Sequence, residues 1–327
     1  MKTTDMKQTS IPDLYCPFST HINKHVDVLE EYAFEWVLRF NLLAHESSYQ
    51  RFYKAKFFLL AAGTYPSCQL EELKIANDLL SWLFIWDDQC DLSDLGKQPE
   101  LLKGFHNRFL EILNGEELTN QDVPLAYALS NLRNRILERG NIKWFHHFLC
   151  SFKGYFKGCV EEATNRIQGV VPDMDTYMAI RLLAGGVEPV IELIEFCDHL
   201  IIPEFVREHN IVKELKVMAN KVLCWGNDIF SALREMEDGD VHNLVLVLHY
   251  QQKLPLEQAI KRAAEIHDQD VLTMMELEAS IPSFGEVEDA ELAKYISGLH
   301  SWISANITWC AQSTRYQTAE KLEVVKC

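Results

Sequence analysis

The stretch from Glu71 to Asp91 constrains this chain most. Leu73, Ile75, Ala76, Leu79, Leu80, Trp82, Leu83, Phe84, Ile85 and Trp86 point in every direction around a helix of 3.6 residues per turn. Such a segment must be buried on several sides, so it needs a ring of other helices around it. The rest of the sequence supplies them. Period-3.6 apolar patterning recurs over 25–40, 100–113, 122–138, 142–168, 174–186, 190–199, 211–238, 243–251, 256–279 and 288–314. Gly140, Gly185-Gly186, Pro189, Pro203, Gly239, Pro255, Pro282 and Gly285 fall between these runs or at their edges, where helices stop. There is no clean strand alternation with hairpin turns, no repeat and no long linker. The pattern predicts one all-α domain of roughly ten to twelve helices over residues 1–327, with loose ends near 1–18 and 317–327.

Charge narrows the partners. A formal net charge of −17 argues against nucleic acid or an anionic membrane surface as a partner, because both require a basic face. No apolar run approaches the ~18 residues of a membrane span, and the polar first ten residues lack the basic-then-apolar pattern of a secretion signal. The nine cysteines are odd in number and contain no Cys-x-x-Cys pair, which fits reduced thiols packed as small apolar groups. These features predict a soluble cytoplasmic protein without stable membrane insertion.

Two clusters carry chemistry. The apolar run ends in Asp87-Asp88-Gln89-Cys90-Asp91, where Asp87 and Asp91 share a helix face. Acidic runs are usually solvated, but carboxylates directly after Leu83-Phe84-Ile85-Trp86 sit where an apolar interior meets water. The second cluster is Asn227-Asp228-Ile229-Phe230-Ser231-Ala232-Leu233-Arg234-Glu235. An amide, a hydroxyl and a carboxylate at i, i+4 and i+8 rise along one face. All are oxygen donors, which suits Mg²⁺ rather than zinc. Arg234 could donate to a phosphate beside them. The plain alternative for this second set is a polar helix face with an internal salt bridge.

On these residues the chain resembles the bacterial-type class I terpene synthases over nearly its whole length. Asp87, Asp88 and Asp91 match the family's aspartate-rich motif. Asn227, Asp228, Ser231, Arg234 and Glu235 match its second metal motif, 140 positions downstream of the first. Arg181 stands 46 positions before Asn227, where the family has a diphosphate-sensing Arg, and Arg315-Tyr316 match a C-terminal Arg-Tyr pair. The resemblance implies a single helical domain around a deep apolar cavity. Three Mg²⁺ ions, with Mn²⁺ as a substitute, would be held by Asp87, Asp88, Asp91, Asn227, Ser231 and Glu235. Arg181, Arg234, Arg315 and Tyr316 would hold the diphosphate of a prenyl substrate, and the Gly185 carbonyl would face the forming cation. Phe84 and Trp309 match cavity aromatics, with Phe57 and Trp302 as weaker candidates. Ala184 stands where the family often has a polar linker residue, a departure from the pattern. The chain's size favours farnesyl diphosphate, a sesquiterpene and, more narrowly, a germacrene-type product. A homodimer is a recurrent assembly in the family.

Rivals fit less well. An isoprenyl diphosphate synthase would need a second Asp-Asp-x-x-Asp. A proton-initiated cyclase would need Asp-x-Asp-Asp, and Asp173-Met174-Asp175-Thr176 falls one Asp short at a helix start, where Asp is an ordinary cap. A non-catalytic helical binding protein leaves the spaced oxygen ligands unexplained. His146 and Cys150 share a face but have no further paired ligands for zinc.

Overall fold

The computed structural model describes residues 11–91 and 93–316. They form fourteen α-helices: α1 (Val26–Arg39), α2 (Glu46–Ala55), α3 (Phe57–Thr64), α4 (Leu70–Asp91), α5 (Pro99–Asn114), α6 (Pro124–Arg139), α7 (Ile142–Gln168), α8 (Met174–Ala184), α9 (Val187–Cys197), α10 (Glu204–Arg207), α11 (Asn210–Asp238), α12 (Leu244–Gln251), α13 (Leu256–Ala279) and α14 (Glu286–Gln312). Short 3-10 turns add Asp94–Lys97 and Thr314–Tyr316. No strand occurs among the described residues. The eight cysteines among them are free thiols, and no helix among the described residues is long and apolar enough to cross a membrane.

Helix α4 is the central post. It packs against α1, α3, α6 and α9, and Leu73, Ala76, Leu79 and Trp82 are buried on its different sides. Its two buried carboxylates, Asp78 and Glu72, are answered from the surrounding helices. Asp78 accepts from Arg135 of α6 at 2.6 Å and from Tyr32 of α1 at 2.6 Å. Glu72 accepts from Arg139 of α6 at 2.7 Å. A buried carboxylate without such partners would be strongly destabilising.

Helix ends follow local chemistry. Asp173 caps α8 by accepting from the Thr176 N–H at 2.8 Å, so Asp173 is a cap. Gly239, at φ 77°, closes α11 in the left-handed region that costs glycine little. Between α8 and α9 the chain turns on Gly186, also left-handed at φ 67°. Helix α9 restarts at Val187, three residues before the expected position, because Pro189 lies in its first turn, where no intrahelical N–H is needed.

Helices α2, α3 and α10 went unanticipated. α3 (FFLLAAGT) is eight residues of nearly uniform apolarity, and such a run has no readable period. α2 is short and mostly polar, and α10 is a single turn. At the N-terminal side, the Tyr15 N–H donates to Asp268 at 2.8 Å, and Phe18 stacks on His300 with ring centroids 3.9 Å apart. The remainder of the expected loose ends, residues 1–10 and 317–327, lies outside the described residues.

Candidate functional site

A cavity of ≈ 160 Å³ opens between α4, α7, α8, α9, α11 and α14. Its body is apolar, lined by Leu60, Leu80, Leu83, Phe84, Val187, Val190, Leu223 and Trp302. Charged and polar residues from distant segments gather on the same cavity. Asp87 and Asp91 come from α4, Glu162 and Arg166 from α7, Arg181 from α8, Asn227, Arg234 and Glu235 from α11, and Arg315 and Tyr316 from the final turn. An apolar pocket with convergent polar groups is the form of a ligand site.

The aspartate wall is held by arginines. Arg315 donates to Asp87 Oδ2 at 2.7 Å and to Asp88 Oδ1 at 2.6 Å. Arg166 reaches Asp91 at 3.5 Å and Asp240 at 2.6 Å, which ties the end of α4 to the loop after α11. Burial and the neighbouring Asp87 charge push the Asp91 carboxyl well above its usual value, against the pull of Arg166. Asp88 is absent from the cavity lining and serves Arg315 instead.

On the opposite wall, α11 presents Asn227 and Glu235 to the cavity. Asn227 accepts from Arg181 at 2.9 Å and donates to the Tyr316 hydroxyl at 2.8 Å. Ser231 is fully buried. The amide of Asn243 links it to Glu235, at 3.3 Å from Ser231 Oγ and 2.8 Å from Glu235 Oε2. Burial, then Asp228 and Asp240, push the Glu235 carboxyl up to about 7. A bound cation would stabilise the charged form of such carboxylates.

Asp228 turns away from the cavity. It is fully buried and accepts from Tyr177, from Arg181 Nε at 2.9 Å and from the Leu244 N–H at 2.7 Å. One carboxylate thus joins α8, α11 and α12 and orients Arg181. At the C-cap of α8, Gly185 has a carbonyl with no further turn of that helix to receive it. A Cβ at Gly185 would lie 2.7 Å from Cys224 Sγ, so the close approach requires glycine.

The aromatics divide. Phe84 lines the cavity, stacks on Phe57 at 4.3 Å and carries the Arg315 guanidinium over its ring at 5.1 Å. Trp309 was expected on the wall but is not among the lining residues. It sits behind, 5.5 Å from the Phe84 ring and 5.7 Å from Tyr316, donating to the Ala55 carbonyl at 2.8 Å. Phe57 likewise backs Phe84, whereas Trp302 lines the cavity. Glu162, Arg166, Asp240 and His242 were not anticipated. Their only sequence signal was polarity near helix ends, because their partners lie tens of residues away.

The architecture is that of the class I terpenoid synthases. Germacradien-4-ol synthase from Streptomyces citricolor has the same fold, with a TM-score of 0.82 at 24% identity, covering 92% of this chain and 99% of that one. Residues 78–272 match the family model for terpene synthase family 2, C-terminal metal binding. Germacrene A synthase of Nostoc punctiforme is 55% identical over 321 residues, spanning 98% of this chain and 99% of that protein. The (+)-T-muurolol synthase of Roseiflexus castenholzii, described as cyclising (2E,6E)-farnesyl diphosphate, is 37% identical over 94% of each chain. This chain belongs to terpene synthase family 2. It is a lyase that acts on a prenyl diphosphate and contains a metal-binding domain.

Proposed function

We propose that the chain ionises farnesyl diphosphate with Mg²⁺ and closes the cation between carbons 1 and 10 to a germacrene-type sesquiterpene. The observation that carries this reading is the polarity of the cavity: both oxygen-donor walls and four arginines at one end, an apolar body at the other. The 55% identity to a germacrene A synthase supports the product class.

The donors fit the metal. Asp87, Asp91, Asn227, Ser231 and Glu235 offer only oxygen. Among the described residues no group of three His, Cys, Asp or Glu side chains could hold an ion by itself. Mg²⁺ is commonly held by one or two carboxylates, with the substrate's phosphates and water completing the shell. Three ions, as the resemblance implies, would neutralise the diphosphate as it leaves.

The remaining work belongs to the protein. Arg181, fixed by Asp228, which Tyr177 holds in turn, would donate to the diphosphate together with Arg234, Arg315 and Tyr316. Arg315 would exchange some of its bonds to Asp87 and Asp88 for diphosphate oxygens. The Gly185 carbonyl and the Phe84 and Trp302 faces would stabilise positive charge in the hydrocarbon. Leu60, Leu80, Leu83 and Val190 would exclude water from it.

The test is incubation of purified protein with farnesyl diphosphate, with and without Mg²⁺, followed by gas chromatography–mass spectrometry. A Mg²⁺-dependent germacrene-type hydrocarbon is expected. Absence of any fifteen-carbon product, with geranyl or geranylgeranyl diphosphate turned over instead, would overturn the substrate assignment.

A further inference from the structure

Most charged residues on the cavity wall are already engaged. Asp87 is paired with Arg315, and Asp91 and Asp240 with Arg166. Glu235 accepts from Asn243. Tyr155 and Cys224 are weak acids, and burial pushes both higher still, so each keeps its proton. His242 is different. It lines the cavity, is 4% exposed, and neither ring nitrogen has a hydrogen-bond partner. A buried polar group without a partner is costly and calls for a reason, a ligand or a catalytic role among them.

Its surroundings set its form. Burial pushes the imidazole down to about 4, so the ring is neutral at pH 7. The Glu162 carboxylate faces Nδ1 at 4.0 Å. That carboxylate favours the tautomer with the proton on Nδ1 and leaves Nε2 with a free lone pair. Catalytic hydrogen bonds are often this long before the substrate arrives. Asp240, Arg181 and Arg166, the last held by Glu162 and Asp240, complete the charged surroundings.

We propose that His242 is the proton acceptor that ends the cyclisation, with Glu162 as the residue that positions it. The inference rests on the germacrene-type reading above. Closure between carbons 1 and 10 brings carbon 11, now cationic, beside the carbon that carried the diphosphate. The charge to be discharged therefore lies at the polar end of the cavity, where His242 sits. In the final step a C–H bond of a methyl group on carbon 11 breaks. Its electron pair becomes the new double bond, and the proton passes to His242 Nε2. The imidazolium shares the Glu162 and Asp240 carboxylates with Arg166, and returns its proton to diphosphate or water when the site empties. A neutral, buried and oriented imidazole suits this role better than carboxylates already neutralised by arginine.

The test compares His242→Gln and His242→Phe with the parent chain, using farnesyl diphosphate and Mg²⁺. Diphosphate release and the full product profile are both measured, and circular dichroism melts confirm that each variant folds. The parent, run first, tests the underlying reading; the variants test this one. A positioned base contributes about 10²-fold or more. The principal hydrocarbon per diphosphate released should therefore fall by roughly tenfold or more. The missing carbon should appear as further-cyclised hydrocarbons or water-captured alcohols. Glu162→Gln should shift the profile in the same direction, but less. An unchanged profile in both His242 variants would assign proton removal to the diphosphate and overturn the proposal. A parallel loss of diphosphate release and product, with the profile unchanged, would overturn it too, because His242 would then act before the proton leaves.

Discussion

Replacing Asp228 by Asn isolates one carboxylate's contribution without changing core volume. Asp228 is fully buried and accepts from Arg181 Nε at 2.9 Å, the Leu244 N–H at 2.7 Å, and the Tyr177 hydroxyl. Asparagine keeps one accepting oxygen but turns the other into a donor, which faces either Arg181 Nε at the Oδ1 position or both the Tyr177 and Leu244 donors at the Oδ2 position. It also leaves Arg181, whose side chain is only 14% exposed, without its counter-charge. Removing one partner of a buried pair costs about 3–5 kcal/mol. A single domain has roughly 5–15 kcal/mol in total. At about 2–4 °C per kcal/mol, the melting temperature should fall by roughly 6–20 °C. Tyr177→Phe removes one hydrogen bond to the same carboxylate and should cost less, about 1.5–3 kcal/mol. Thermal melts by circular dichroism at pH 7 give both numbers. If Asp228→Asn melts within about 2 °C of the parent, the carboxylate does not bind the three helices together and the reasoning fails.

Other outcomes follow from the same geometry. Asn227→Ala should keep the helical spectrum but lower Mg²⁺-dependent turnover by on the order of 10²-fold, as Asp91→Ala should; full activity in either would remove that residue from the metal-binding set. Chelation with EDTA should stop product formation, and Mg²⁺ or Mn²⁺ should restore it. In Gly158→Ala the new Cβ would lie 2.5 Å from the Ala184 backbone N and 2.8 Å from the Leu183 carbonyl carbon. The clash is with backbone, so α7 and α8 must part, at about 1–3 kcal/mol, and Arg181 must shift with α8; an unchanged melt and KM would contradict this. Burial pushes the Glu195 carboxyl up to about 7, against the pull of Arg207. A folded value above the unfolded one of roughly 4.3 means that this group favours folding most below pH ~4 and loses that advantage as pH rises through 7. Glu195→Gln should flatten that part of the stability–pH curve, and a curve matching the parent's would refute the assignment.

Periodic features could be read along the chain because a helix is a local structure. Asp87 and Asp91, or Asn227, Ser231 and Glu235, share a face by spacing alone. The all-helical class, the burial of α4 and the stops at Gly239 and Gly185-Gly186 followed from local patterns in the same way. Proximity between distant segments could not be read. Nothing local shows that Asp228, one residue from Asn227 and therefore rotated about 100° around the helix, turns inward to join α8 and α12. Arg166 and Asp240 are 74 residues apart, and their pairing exists only once α7 lies beside the end of α11. Trp309 and Trp302 both look like buried aromatics on α14, seven residues apart. Packing puts Trp302 on the cavity wall and Trp309 behind Phe84. Ser231 has the expected face, yet Asn243 covers its hydroxyl. Spacing along one helix decides which side chains share a face, whereas the packing of neighbouring helices decides whether that face meets a cavity, an ion pair or another side chain.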